Sequence, residues 1–188
     1  DGPDRISPFY DEDFDSWVAP FVMGPINTRV VRRSAELLGD MYGSNFRYDE
    51  GILTRGGPTG FLGATGIGLA TGLAMATLAA PPTRKIIKRL IPKPGEGPSE
   101  QDQEQGFFEI ELKAKHPDNE GLDLRAIVKG DRDPGYGSTA KMIVESAMAL
   151  AHDEVKNSGG FWTPASVIGD QLLQRLPLHA GVTFELVG

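Results

Sequence analysis

Hydrophobic and polar positions alternate most cleanly in "GFFEIELKAKH". There Phe108, Ile110, Leu112 and Ala114 interleave with Glu109, Glu111, Lys113 and Lys115. A period of two is the mark of a strand with one buried face. "PDNEG" supplies turn residues, and "LDLRAIVKG" returns with Leu122, Leu124, Ala126 and Val128 on one side. The spacing predicts an antiparallel hairpin, and "GVTFELV" predicts a final strand.

Elsewhere the rhythm is helical. Pro25 suits a first helical turn, and "INTRVVRRSAELLG" sets Ile26, Val30, Leu37 and Leu38 near one face with Gly39 as a stop. "DRDPGYGSTAKMIVESAMALAHDE" predicts a loop feeding a helix. Apolar residues surround most of Met142–Ala151, so that helix is expected to be buried on most sides. "GGFWTPASVIGDQLLQRL" predicts another helix, with Thr163 as N-cap and Pro164 in the first turn. Before these, Asp1–Ser16 reads as an acidic, extended entry segment, and "NFRYDEGILT" as a short strand holding Phe46, Tyr48 and Ile52. Residues 92–105, rich in Pro, Gly and acids, read as an exposed linker with little regular structure. The whole predicts an α+β fold over 1–188, with helices packed on a mixed or antiparallel sheet.

The segment 60–80, "GFLGATGIGLATGLAMATLAA", admits several readings. Gly66, Gly68 and Gly72 come within one residue of a dinucleotide fingerprint. Their context fails it: "LTRGGPTGF" cannot supply the required strand, and a basic run stands where an acid should hold the ribose. A helix fits better. Gly56 to Thr83 is 28 residues without a charge, enough to cross about 30 Å of hydrocarbon. Gly60, Ala64, Gly68, Gly72, Ala76 and Ala80 form a ridge of small side chains, with Leu62, Leu69, Leu73 and Met75 opposite. Such a ridge suits close packing on another element, in a soluble core or in lipid. Arg84, Lys85, Lys88 and Arg89 follow, and suit an anionic lipid surface or simple solvation.

Composition narrows the function. A hydrophobic content of 39% supports a real core, and a net charge of −7 argues against a general nucleic-acid binder. With no cysteine there is no disulfide frame, thiolate metal site or cysteine nucleophile. The acidic start lacks the pattern of a secretory signal, which fits a cytoplasmic location, free or peripheral on a membrane. His116, His152 and His179 have no ligand partner at helical spacing, and no metal site is expected. Asp118, Glu120 and Asp123 read as a solvated hairpin tip.

Two segments remain as candidate chemistry. In "DRDPGYGST", Asp133, Gly135, Tyr136 and Ser138 stand where backbone N–H groups could meet an anion, or where a simple turn caps a helix. Tyr136 is the candidate proton donor. In "NTRVVRRS", Arg29, Arg32 and Arg33 could pair phosphate or carboxylate groups, or could line a solvated helix face.

Taken in order, "FVMGPINTRVVRRSAELLG", "IPKPGEGPSEQ", "DPGYGSTAKMIVESAMALA", "GGFWTPASVIGDQLLQRL" and "AGVTFEL" resemble the C-terminal half of saccharopine-dehydrogenase-like oxidoreductases. The similarity is strongest to the branch holding the trans-acting enoyl reductases of lipid and polyketide assembly. The resemblance implies an N-terminal Rossmann domain that binds NAD or NADP, and a second domain, this one, that shapes the site for an acyl or lipid substrate. The family's glycine loop has no match here, so no cofactor-binding residue can be carried over, and the chain reads as a fragment. Asn27, Arg29 and Arg33, with Asp133, Gly135 and Thr139, match family-typical segments and are carried over as candidate substrate-binding positions. A non-catalytic, membrane-peripheral or partner-binding module with the same fold is the alternative.

Overall fold

The computed structural model describes residues 5–81 and 96–187. The chain divides into two compact units, Asp1–Gly95 and Glu96–Gly188. Each carries its own three-stranded antiparallel sheet, and five α-helices complete an α+β fold among the described residues.

The first unit begins with a hairpin where an extended segment was expected. Strands β1 (Phe9–Asp11) and β2 (Ser16–Pro20) pair antiparallel with Tyr10 opposite Trp17. Asp15 takes the left-handed turn conformation, which aspartate tolerates, and its carboxylate accepts the Tyr10 hydroxyl. Strand β3 (Gly51–Leu53) joins the other edge of β2. It is shorter than the expected strand: Phe46 instead lies edge-on to Tyr42, with ring centroids 4.7 Å apart.

Helix α1 (Gly24–Leu38) has Pro25 in its first turn and ends at Gly39, as expected. Its buried face is different. Ile26 and Val30 are exposed, while Gly24, Thr28 and Ser34 are buried. Small side chains permit close approach, and the two hydroxyls are satisfied within the helix. Thr28 donates to the Gly24 carbonyl at 2.8 Å and Ser34 to that of Val30 at 2.9 Å. No large apolar residue marks that face.

Helix α2 (Gly57–Ala79) is the expected apolar helix. The ridge of small residues does pack, but only at its start. Gly60 and Ala64 are buried, Phe61 stacks edge-on against Trp17 of β2 at 4.8 Å, and Gly68 faces the rings of Pro8 and Pro20. The Thr54 hydroxyl lies 2.8 Å from the Trp17 carbonyl and 3.0 Å from that of Gly60. Gly72 meets nothing within 4 Å. Each four-residue step rotates the ridge by about 40° around the helix, so by Gly72 it has wound off the sheet.

In the second unit, strand β4 (Phe108–Ala114) pairs antiparallel with β5 (Leu124–Gly130), which pairs with β6 (Val182–Val187). The predicted hairpin and final strand are both present. Part of the predicted linker also folds: Glu100–Gln105 is a short helix, α3, whose N-cap Ser99 accepts the Asp102 N–H at 3.1 Å. Helices α4 (Gly137–His152) and α5 (Pro164–Arg175) follow, α5 with the expected Thr163 cap reinforced by Ser166. A π-helical turn, Leu176–Ala180, leads to Gly181 and β6.

The core of this unit gathers Leu176, Ala180 and Val182, with Phe108, Val128, Met142 and Leu172 packed around them. It covers only one end of the sheet's apolar face; Ile110, Leu112, Leu124 and Leu186 remain exposed. Helix α4 is likewise buried on one side, at Ser138 and Ala149, and not on most sides as expected: Ile143, Val144 and Leu150 are exposed. Arg175 locks α4 to α5. Its guanidinium grips Asp153 through two bonds of 2.6 and 2.8 Å and reaches Glu145 at 3.0 Å.

Candidate functional site

Two polar clusters hold the candidate residues, one in each unit. In the second, the loop between β5 and α4 is built around Asp133. Its carboxylate accepts the N–H groups of Gly135, Tyr136 and Gly137 at 2.9, 3.0 and 2.6 Å. These donors open α4, so the anion held at this helix start is a side chain of the loop itself. The three bonds favour the charged form and hold the Asp133 carboxyl below the usual carboxylate range, the Gly137 bond foremost. Thr139 donates to the Pro134 carbonyl at 2.6 Å, and buried Ser138 to that of Arg132 at 3.0 Å.

Residues 96–106 strap across this loop. The Asp133 N–H donates to the Gln103 carbonyl at 3.1 Å, Arg132 pairs with Glu104 at 3.7 Å, and Gly106 lies against Asp133. Gly97 lies under the Tyr136 ring, where an added side-chain carbon would stand 3.5 Å from it. The Tyr136 phenol remains exposed. Thus the segments "EGPSEQ" and "DPGYGST", both carriers of the family resemblance, form one surface. The structure brings together Asp133, Gly135, Tyr136 and Thr139.

The first unit's cluster sits at the start of α1. Glu50 accepts the Asn27 amide at 2.9 Å and the Tyr48 hydroxyl at 2.8 Å. Arg32 turns inward, its guanidinium 3.4 Å from the Tyr48 carbonyl. Arg29 is exposed, and Arg33 pairs with Glu36 at 2.8 Å on the outer face. Of the four candidates on α1, Asn27 and Arg32 therefore join the cluster, and Arg29 and Arg33 do not. Tyr48 and Glu50 were missed by sequence reasoning because they lie more than twenty residues from Asn27 and match no motif. The space among these side chains holds no more than a water molecule.

Burial, followed by the hydrogen bond to Glu50, pushes the Tyr48 phenol well above its ordinary pKa. Above about pH 10 the unfolded chain releases this proton while the folded chain keeps it, so stability falls as pH rises. The advantage of wild type over Tyr48→Phe in melting temperature is expected to be constant below about pH 10 and to shrink above it. Alkaline thermal melts of the two proteins check this.

The remaining candidates stay apart. Arg84, Lys85, Lys88 and Arg89 lie outside the described residues. His116, Asp118 and Asp123 shape the hairpin tip: Asp123 accepts the His116 N–H at 2.9 Å, and His116 Nδ1 accepts that of Asp118 at 3.2 Å. Among the described residues no acidic or histidine cluster could hold a metal. An open depression of about 540 Å³ beside Arg175 is lined by Asp153, Lys156, Gln171, Leu178 and His179.

The glycines do not fit a nicotinamide dinucleotide. Gly66, Gly68 and Gly72 are inside α2, so they form no phosphate loop. β3 leads into α2 through Gly56, but it pairs only antiparallel, whereas a dinucleotide site needs parallel strands.

No family model matches the chain, and no solved structure matches it. Named proteins do. The chain is 39% identical over 174 residues to a Mycobacterium tuberculosis protein provisionally named a trans-acting enoyl reductase; the match covers 90% of this chain and 41% of that protein. It is 38% identical over 172 residues to the trans-acting enoyl reductase of Mycobacterium ulcerans, covering 86% of this chain and 39% of the other. With that of Mycobacterium bovis the identity is 37% over 178 residues, covering 88% and 40%. The chain spans about two fifths of the length of these relatives.

Proposed function

We propose that this chain is the substrate-side part of a saccharopine-dehydrogenase-like enoyl reductase that saturates the double bond of an unsaturated acyl chain. The observation that carries the reading is the similarity to proteins named trans-acting enoyl reductases, which runs through about nine tenths of the chain. In the parent protein, reduced NAD or NADP, bound outside the described residues by an N-terminal Rossmann domain, supplies the hydride. "Trans-acting" in the relatives' names supports a separate partner enzyme for this protein as well.

What this chain contributes is a shaped surface and a proton source. Asp133 fixes the backbone from Gly135 to Gly137, and that backbone sets the Tyr136 phenol at the rim of the strap, open to a substrate. A neutral phenol can give its proton to the carbon beside the thioester carbonyl as the enolate collapses. Asn27, Arg29 and Arg33 stand as substrate-binding positions of the first unit.

The experiment is a steady-state assay of the polypeptide carrying residues 1–188 with its cofactor domain, using a long-chain 2-enoyl thioester and NADPH or NADH. Consumption of the reduced nicotinamide and formation of the saturated thioester are expected. Tyr136→Phe is expected to lower kcat by about 100-fold or more with little change in KM and an unchanged circular dichroism spectrum. Full activity in Tyr136→Phe removes the phenol from the mechanism. No turnover with any enoyl thioester removes the reductase reading and favours a non-catalytic, membrane-peripheral module, to which the exposed length of α2 also points.

A further inference from the structure

Helix α2 is apolar on all sides, and the described structure leaves most of it bare. Of its most apolar 18-residue window, 6% is buried. Leu69 and Leu73 point to one side of the helix and Met75 and Leu78 to the other, and all four are exposed. This is not the burial of a core helix. The described residues of the unit therefore do not supply its environment.

The distribution of side chains identifies that environment. A helix that docks in a protein groove carries one apolar stripe and a polar back. So does a helix that pairs with a second copy of itself in water. Here the bare segment has no polar back: no charged residue occurs between Gly56 and Thr83, and large apolar side chains stand on opposite sides of the axis. Its Thr77 hydroxyl is satisfied locally, as hydrocarbon requires. The Thr77 hydroxyl donates to the Ala74 carbonyl at 2.8 Å. A surrounding solvent of hydrocarbon matches apolarity on every side.

The attachment of α2 sets how far it can enter. Up to Gly68 it is held to the unit: Phe61 against Trp17, Gly60 against the chain at Arg55, and Gly68 against Pro8 and Pro20. From Leu69 to Ala79 no residue is buried. Those eleven residues rise by about 16 Å, against about 30 Å for a whole hydrocarbon core. The free length matches one leaflet and falls short of two. The sequence that follows carries Arg84, Lys85, Lys88 and Arg89, which suits anionic headgroups.

We propose that Leu69–Ala79 of α2 is a monotopic anchor that enters one leaflet of a bilayer containing anionic lipid. Anchoring of this kind requires none of the reductase chemistry, and the test reads binding alone, so either reading can fail without the other.

The test is flotation of the full chain, residues 1–188, with phosphatidylcholine vesicles containing a minority of phosphatidylglycerol. Wild type is expected to float with the vesicles. The doubly substituted L69E/L73E protein is expected to lose about tenfold or more of the floated fraction, since a carboxylate within the core is costly. Circular dichroism reports its fold. A wild type that stays at the bottom of the gradient overturns the proposal, as does a double variant that floats equally well. Leu73→Trp serves should the double variant misfold: its added emission is expected to shift to the blue with vesicles and to be quenched by bromines placed on the acyl chains. Emission unchanged by vesicles overturns the proposal. So does a concentration-dependent dimer that shields the introduced indole without lipid and prevents flotation.

Discussion

Gly60→Ala is expected to destabilise the first unit by roughly 3 kcal/mol or more, while Gly72→Ala, twelve residues along the same helix, leaves it unharmed or raises its stability by up to about 1 kcal/mol. A side-chain carbon on Gly60 would overlap the Arg55 carbonyl, and the obstacle is backbone that cannot rotate away. The same carbon on Gly72 meets nothing within 4 Å. It removes only the helix penalty of glycine and some freedom of the unfolded chain. Chemical denaturation of both variants, followed by tryptophan emission from Trp17 beside Phe61, checks the contrast. Equal effects at the two positions would mean that the ridge of small residues does not bear on the sheet.

The second large effect is expected at Asp133. Asp133→Ala leaves the N–H groups of Gly135, Tyr136 and Gly137 without their acceptor, and the first turn of α4 should fray together with the strap above it. Faster hydrogen exchange at those three amides and a lower melting temperature are the expected readouts. Asp133→Asn should be intermediate. One amide oxygen can still accept from Gly135 and Tyr136, but the amino group faces the Gly137 N–H. The pH response distinguishes the charge from the geometry. Because the folded carboxyl titrates below its ordinary range, the unfolded chain takes up the proton first as pH falls. Its contribution is therefore present above about pH 4 and lost as pH drops through the lower folded value. That part of the acid sensitivity should vanish in both variants.

Local signals made much of the fold legible in the sequence. Pro25 and Gly39 bracket α1, Thr163 and Pro164 open α5, and the alternation from Phe108 to Ala114 and from Leu124 to Val128 gives the central hairpin. The features that stayed hidden depend on partners far along the chain or on small residues. Tyr10 and Trp17 face each other across an acidic turn, and acidity there resembled an unstructured entry. Thr28 and Ser34 carry the buried face of α1, where periodicity favours Ile26 and Val30. Helix α3 did leave a signal, Ser99 three residues before Asp102, but the surrounding prolines and glycines outweighed it. Of the candidate site, the loop from Asp133 to Thr139 was legible because turn residues and a helix start adjoin. Tyr48 and Glu50 were not, since nothing local marks them as partners of Asn27.

The reductase reading is tested most directly by following isotopes through the reaction. The polypeptide carrying this chain and its cofactor domain is given a long-chain 2-enoyl thioester with a reduced nicotinamide deuterated at its transferable position, and the acyl product is examined by mass spectrometry. A saturated acyl chain bearing a single deuterium on the carbon once remote from the carbonyl is the expected product, with the neighbouring carbon labelled only when the solvent is heavy water. Recovery of the unsaturated acyl chain unchanged, or of a saturated one without cofactor-derived deuterium, would show that this protein does not carry out the reduction proposed for it.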